Sequence, residues 1–227
     1  MTTTIARAPR RSKKPAVCLG ALCVASLLCL PGRSSAAEPA QGAKGVEQHD
    51  GFMLRLTIGL GYGSGTESVP VVGDVQLSGP SGFFSLDIGG ALVDNLVLHG
   101  RLSDMVVASP TVSINDEELG EANDASLTFY LFGAGLTYYV MPANVYLTGV
   151  VGIAKASADN GTDEASSTKA GFGFEGDIGK EWWVSDNWGL GIAGRFTFAS
   201  VPDEVTPGDS ITLQALGFGV LFSATYQ

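Results

Sequence analysis

From Phe52 to Tyr226 the chain alternates apolar with polar or small residues, in eight stretches of about ten residues or more. A period of two is the signature of strands with one apolar face. A strand tilted across a bilayer needs about 9–11 residues. The first stretch is the clearest: Phe52, Leu54, Leu56, Ile58, Leu60 and Tyr62 share one parity, and Met53, Arg55, Thr57, Gly59, Gly61 and Gly63 the other. The others run over about Phe83–Leu92, from Leu96 onward, and over Ser126–Tyr139, Val145–Ala156, Lys169–Trp182, Trp188–Ala199 and Ser210–Tyr226. Two are out of phase within themselves. Leu127, Phe129 and Leu131 oppose Phe132, Leu136 and Tyr138 in parity, which a bulge would reconcile, as would a strand that extends above the bilayer. Ile211 and Leu213 likewise oppose Leu216, Phe218 and Val220.

The connections sort into two kinds. Val93–Asn95, Met141–Asn144 and Ser185–Asn187 are short, and each ends in Asn before the next strand opens. About 64–82, 104–125, 157–168 and 200–209 are long and polar. Short and long alternate strictly, as in bacterial outer-membrane barrels, where short turns face the periplasm and long loops the outside. Lipid cannot satisfy a backbone N–H or C=O, so strands that cross it must close on themselves with no bare edge. The fold expected is all-β: an eight-stranded antiparallel up-and-down transmembrane barrel over residues 51–227.

The N-terminal part reads differently. Arg7, Arg10, Arg11, Lys13 and Lys14 precede an apolar stretch from Pro15 to Leu30, followed by Ser35-Ala36-Ala37. That is the layout of a cleaved secretory signal over 1–37. Residues 38–50 read as a flexible lead-in carrying His49. All three cysteines fall in the leader, so the processed chain has no thiol chemistry. The leader takes six of the 13 basic residues and none of the 23 acidic ones, moving net charge from −10 to −16. A chain this acidic repels phosphates, which excludes a nucleic-acid partner.

On the expected inward faces lie Arg55, Asp87, His99, Arg101, Glu175, Asp177, Glu181 and Arg195. Neighbouring strands would let Arg55 meet Asp87, Asp87 meet Arg101, and Asp177 meet Arg195. Buried charges persist only when paired, and eight strands enclose a space side chains can fill. The set therefore reads as an ion-pair network filling the lumen, with a gated polar path as the rival. Inward glycines, such as Gly59, Gly61 and Gly63, would make room for Arg or Tyr from across the lumen. They link no strand to a helix, so they do not cradle phosphate. Tyr62, Tyr138, Tyr139, Trp182, Trp183, Trp188 and Tyr226 fall near strand ends, where an interfacial aromatic belt sits.

No cofactor or metal is expected. Asp116, Glu117, Glu118, Glu121, Asp124, Asp159, Asp163, Glu164, Asp203, Glu204 and Asp209 acidify the long connections, and only Asp159–Asp163 resembles part of a calcium loop. The two histidines, His49 and His99, have no nucleophile in evident reach, so no enzyme is expected.

Gly133–Tyr139, with Glu181-Trp182-Trp183 through Trp188–Gly191, resembles the strand-and-turn signatures of small outer-membrane barrels: the OmpA transmembrane domain, OmpX-like and OmpW-like proteins. The resemblance runs from about residue 50 onward. A small closed barrel has no need of a partner subunit, so a monomer in outer-membrane lipid and lipopolysaccharide is expected. Phe218, Val220, Phe222 and Tyr226 match the C-terminal alternation that barrel assembly machinery reads, except that Gln227 follows. An OmpX-like role would be surface contact through the loops; an OmpW-like role would be passage of small hydrophobic molecules. The long acidic loops favour the first.

Overall fold

The computed structural model describes residues 49–69, 72–159, 166–206 and 209–227. The leader, the lead-in as far as residue 48 and the calcium-loop-like residues 160–163 lie outside the described residues.

Among the described residues eleven strands form one antiparallel sheet: β1 (Phe52–Val69), β2 (Gly73–Val93), β3 (Leu96–Ala108), β4 (Thr111–Ile114), β5 (Glu117–Glu121), β6 (Ser126–Val140), β7 (Val145–Asp159), β8 (Ser166–Ser167), β9 (Gly171–Ser185), β10 (Trp188–Thr206) and β11 (Asp209–Tyr226). The hydrogen-bonded order runs β1-β11-β10-β9-β7-β6-β3-β2, with β4 and β5 continuing beyond β2 and β8 beside β7. β1 also pairs with β2 along its other edge, Leu54 opposite both Tyr226 and Ile88. Both edges of the first long strand are thus occupied.

The expected count was eight, and the three further strands are short. They lie in connections read as irregular loop. Thr111-Val112-Ser113-Ile114 is rich in β-branched residues and pairs with β2 from Ser78 to Val75. The long strands also outrun their apolar alternation: the β1–β2 ladder reaches Val69 opposite Gly73. Backbone pairing continues there with polar side chains, where apolar periodicity carries no signal.

The turn asparagines have a shared task. The carbonyls of Asn95, Asn144 and Asn187 accept bonds from the N–H groups of Tyr139 (2.8 Å), Glu181 (3.0 Å) and Gln227 (3.0 Å). Each ties a turn to the end of the strand beside it. Asn95 and Asn144 adopt positive φ, 64° and 50°, a region Asn tolerates better than most residues.

One face of the sheet is exposed and apolar. Leu60 is 77% exposed, and Ile58, Phe132, Ile178, Phe218 and Val220 all exceed half exposure. The opposite face is enclosed and divided. Along β3 from the Asn95 turn, enclosed residues run Val97, His99, Arg101 and Ser103, then Met105 and Val107. Along β11 they run Thr225 and Ser223, then Leu221, Ala215 and Leu213. The turn side is mostly polar. The loop side holds an apolar cluster of Phe83, Met105, Val107, Leu127, Phe129, Val201, Leu213, Ala215 and Leu221.

This division explains the broken phase of β6. No bulge is present: β6 keeps unbroken register against β3 and β7. Leu127, Phe129 and Leu131 are buried while Phe132, Leu136 and Tyr138 are exposed. Both faces of β6 are apolar there, and the enclosed one packs into the loop-side apolar cluster. Leu213 in β11 is enclosed for the same reason.

The enclosed glycines make room chiefly for this cluster rather than for arginines. A Cβ on Gly219 would stand 2.9 Å from the Phe83 ring, and one on Gly63 3.0 Å from Met105 Sδ. Gly179, facing Tyr146, fits the original expectation. Gly219→Leu is expected to destabilise the fold by about 1–3 kcal/mol through overpacking. Denaturant titration of the refolded protein reads the shift, and an unchanged midpoint would refute the packing assignment.

Candidate functional site

All eight charged or histidine residues expected to face inward are enclosed, each between 0% and 4% exposed. Seven of them fall into two groups, and His99 stands apart.

In the larger group Arg101 is the hub. Its Nε donates to Asp87 Oδ1 at 2.6 Å and its Nη2 to Asp87 Oδ2 at 2.7 Å, a bidentate pair. Nη2 also reaches Asp177 Oδ2 at 2.8 Å, and Nη1 reaches Glu175 Oε2 at 3.0 Å. One guanidinium on β3 thus gathers carboxylates from β2 and β9. Arg195, opposite Asp177 in the ladder, donates from Nε to Asp177 Oδ1 at 2.7 Å and from Nη2 to Ser85 Oγ at 3.0 Å. Ser103 Oγ donates to Glu175 Oε1 at 2.8 Å. Planar five-donor guanidinium suits this role better than an ammonium would.

The smaller group sits nearer the short turns. Arg55 stands opposite Asp87 in register, yet its ion pair is with Glu181, Nε to Oε1 at 3.2 Å. The expected Arg55–Asp87 pair is replaced because Arg101 already occupies both Asp87 oxygens. Thr225 Oγ1 donates to Glu181 Oε1 at 2.6 Å. Arg55 Nη2 donates to the Tyr139 hydroxyl, and its Cζ lies 4.3 Å from the Tyr146 ring centroid. Aromatic faces thus complete the cation's surroundings.

His99 belongs to neither group. Its Nε2 is 3.1 Å from Thr137 Oγ1, which lies 2.8 Å from Thr148 Oγ1. This buried chain crosses β3, β6 and β7.

The aromatic residues divide. Tyr62, Tyr138 and Trp182 are exposed on the outward face, and Trp188 packs edge-on against Tyr226 at 5.4 Å. Tyr139 and Trp183 leave that row: Tyr139 is 1% exposed, and Trp183 lies 5.2 Å from the His49 ring. Adjacent residues on a strand point to opposite faces, so Tyr138-Tyr139 and Trp182-Trp183 cannot both face outward. The period-two rule already contained that correction. His49, read as part of a flexible lead-in, is 1% exposed and docked; only its tertiary partners reveal this. Phe218, Val220 and Phe222 are exposed on one face of β11.

Among the described residues no group of three or more His, Cys, Asp or Glu could hold a metal ion. Nor is any helix among the described residues long and apolar enough to cross a membrane.

The chain is similar to solved outer-membrane proteins. OprG from Pseudomonas aeruginosa is 13% identical with a TM-score of 0.46, covering 81% of this chain and 100% of that one. AlkL is 16% identical with a TM-score of 0.45, covering 84% and 96%. Neisserial surface protein A is 16% identical with a TM-score of 0.43, covering 75% and 95%. No family model matches, and no curated protein does.

Proposed function

We propose that this chain is an integral outer-membrane protein whose eight long strands close into one transmembrane barrel, with a structural or surface-contact role carried by its acidic loops. The observation that carries the reading is its inverted surface. Ile58, Leu60, Phe132, Ile178 and Val220 lie exposed, while three arginines and four carboxylates are enclosed. In water such an apolar exterior would be far larger than a monomer tolerates; in lipid it is the expected exterior. Pairing of β1 with both β2 and β11 meets the demand that no spanning strand keep a bare edge. Short turns ending in Asn95, Asn144 and Asn187 would face the periplasm, and the β4–β5 hairpin with the ends of β1, β2, β10 and β11 the outside.

The partners of this reading are outer-membrane lipid, lipopolysaccharide and the barrel assembly machinery, which would read Phe218, Val220, Phe222 and Tyr226. The protein would work as a monomer. Heat-modifiable gel migration of the detergent-refolded protein, with sedimentation in the envelope fraction, tests the architecture. A monomer that stays in solution without detergent would overturn it.

A narrow channel for small solutes or hydrophobic molecules is the alternative. Two barriers in series oppose it: the ion-pair layer centred on Arg101, and the apolar layer of Phe83, Met105 and Phe129. Planar-bilayer recording should therefore give no stable large conductance, and liposomes should not swell faster with small solutes. Steady unitary currents would favour the channel.

A further inference from the structure

The segment just ahead of β1 is fixed against the turn side of the sheet. The His49 ring stacks on Tyr139, with centroids 3.5 Å apart and planes 12° from parallel. Its Nε2 faces Asn144 Oδ1 at 2.8 Å, and its Nδ1 faces Gln227 Oε1. The Asn95 N–H donates to the His49 carbonyl at 3.0 Å, and the Ala91 N–H to the Gly51 carbonyl at 2.9 Å. Three residues thereby join two of the three short turns, the end of β6 and the last residue of the chain. Gln227 Nε2 in turn reaches the Tyr139 hydroxyl at 3.3 Å, the same hydroxyl that accepts from Arg55. His49 thus closes the turn-side end of the charged layer.

We propose that His49–Gly51 is a latch across the turn-side mouth of the barrel, and that proton uptake by the His49 imidazole opens it.

The ring's surroundings give the sign. Glu181 and Arg55 act on it with opposite charge, and Tyr139, Trp183, Asn144 and Gln227 are neutral. Burial is the largest influence and holds the imidazole below its ordinary histidine value, outweighing the hydrogen bonds to Asn144 and Gln227. The docked ring therefore prefers to be neutral, and a released ring takes a proton more readily. Docking is complete above the ordinary histidine range and weakens as pH falls through the depressed value. Asn144 Nδ2 is buried without a partner. A half-turn of that amide sets its N–H against Nε2, which a neutral ring carrying its proton on Nδ1 can accept.

Amide hydrogen exchange on the refolded full chain tests the latch, with rates corrected for intrinsic pH dependence and compared at about pH 8 and about pH 5. The Asn95 and Ala91 amides should exchange about tenfold faster at the lower pH, while Arg101 in mid-strand stays unchanged. In His49→Gln, which keeps hydrogen-bonding groups but takes up no proton, that pH dependence should vanish. Wild-type protection that ignores pH would overturn the proposal, and so would an equal pH response in His49→Gln. Which compartment the latch faces rests on the barrel reading. Loss of heat-modifiable migration would fail that reading separately, because the exchange comparison needs only the ladder and the docked segment.

Discussion

Arg101→Leu should lower the stability of the folded protein by about 3–5 kcal/mol, read as a fall in the urea midpoint of the refolded protein. The magnitude comes from what the substitution leaves behind. Asp87, Glu175 and Asp177 all lie within 3.0 Å of the Arg101 guanidinium, and none of them reaches solvent. Without it Arg195 still faces Asp177 and Glu175, while Asp87 loses its bidentate partner. In a buried network the attraction between charges is generally offset by the cost of their desolvation. Breaking it is what costs. Asp87→Leu should therefore be less harmful when combined with Arg101→Leu than the two single effects added together. An unchanged midpoint in Arg101→Leu would remove the network from any account of this fold.

Phe129→Ala should cost about 3–5 kcal/mol, by lost burial and by the cavity left behind. Phe129 is 3% exposed in the loop-side cluster, opposite Met105 in the β3–β6 ladder. The loss is internal, so it should be similar in detergent micelles and in lipid vesicles. Phe132, three residues along the same strand, faces outward, and the effect of Phe132→Ala should track the surrounding amphiphile. A loss below about 1 kcal/mol in Phe129→Ala would mean that the loop-side interior is not packed. The current barrier proposed for the barrel would then lose one of its two layers.

Both expected results depend on which residues face in, and that much was written in the sequence. Arg55, Asp87, Arg101, Glu175, Asp177 and Arg195 occupy the enclosed parity of their strands, because a strand turns successive side chains to opposite faces whatever surrounds it. The Asp87–Arg101 and Asp177–Arg195 pairs were legible for the same reason, since those strands adjoin through single short connections. The short turns were legible through their Asn residues.

Three features were decided only by the tertiary structure. Arg55 finds Glu181 from β9 rather than its ladder neighbour Asp87, because Arg101 claims that carboxylate first. Leu127, Phe129 and Leu131 face an apolar interior on a strand whose other face is also apolar, a pattern that alternation alone reads as a fault in phase. His49, in a polar stretch with no periodicity, becomes one of the most enclosed residues of the protein. The physical reason is common to all three. Alternation is local and fixes the face. Which side chains meet across the interior depends on the stagger of every strand, and that is set only when the sheet pairs its first strand with its last.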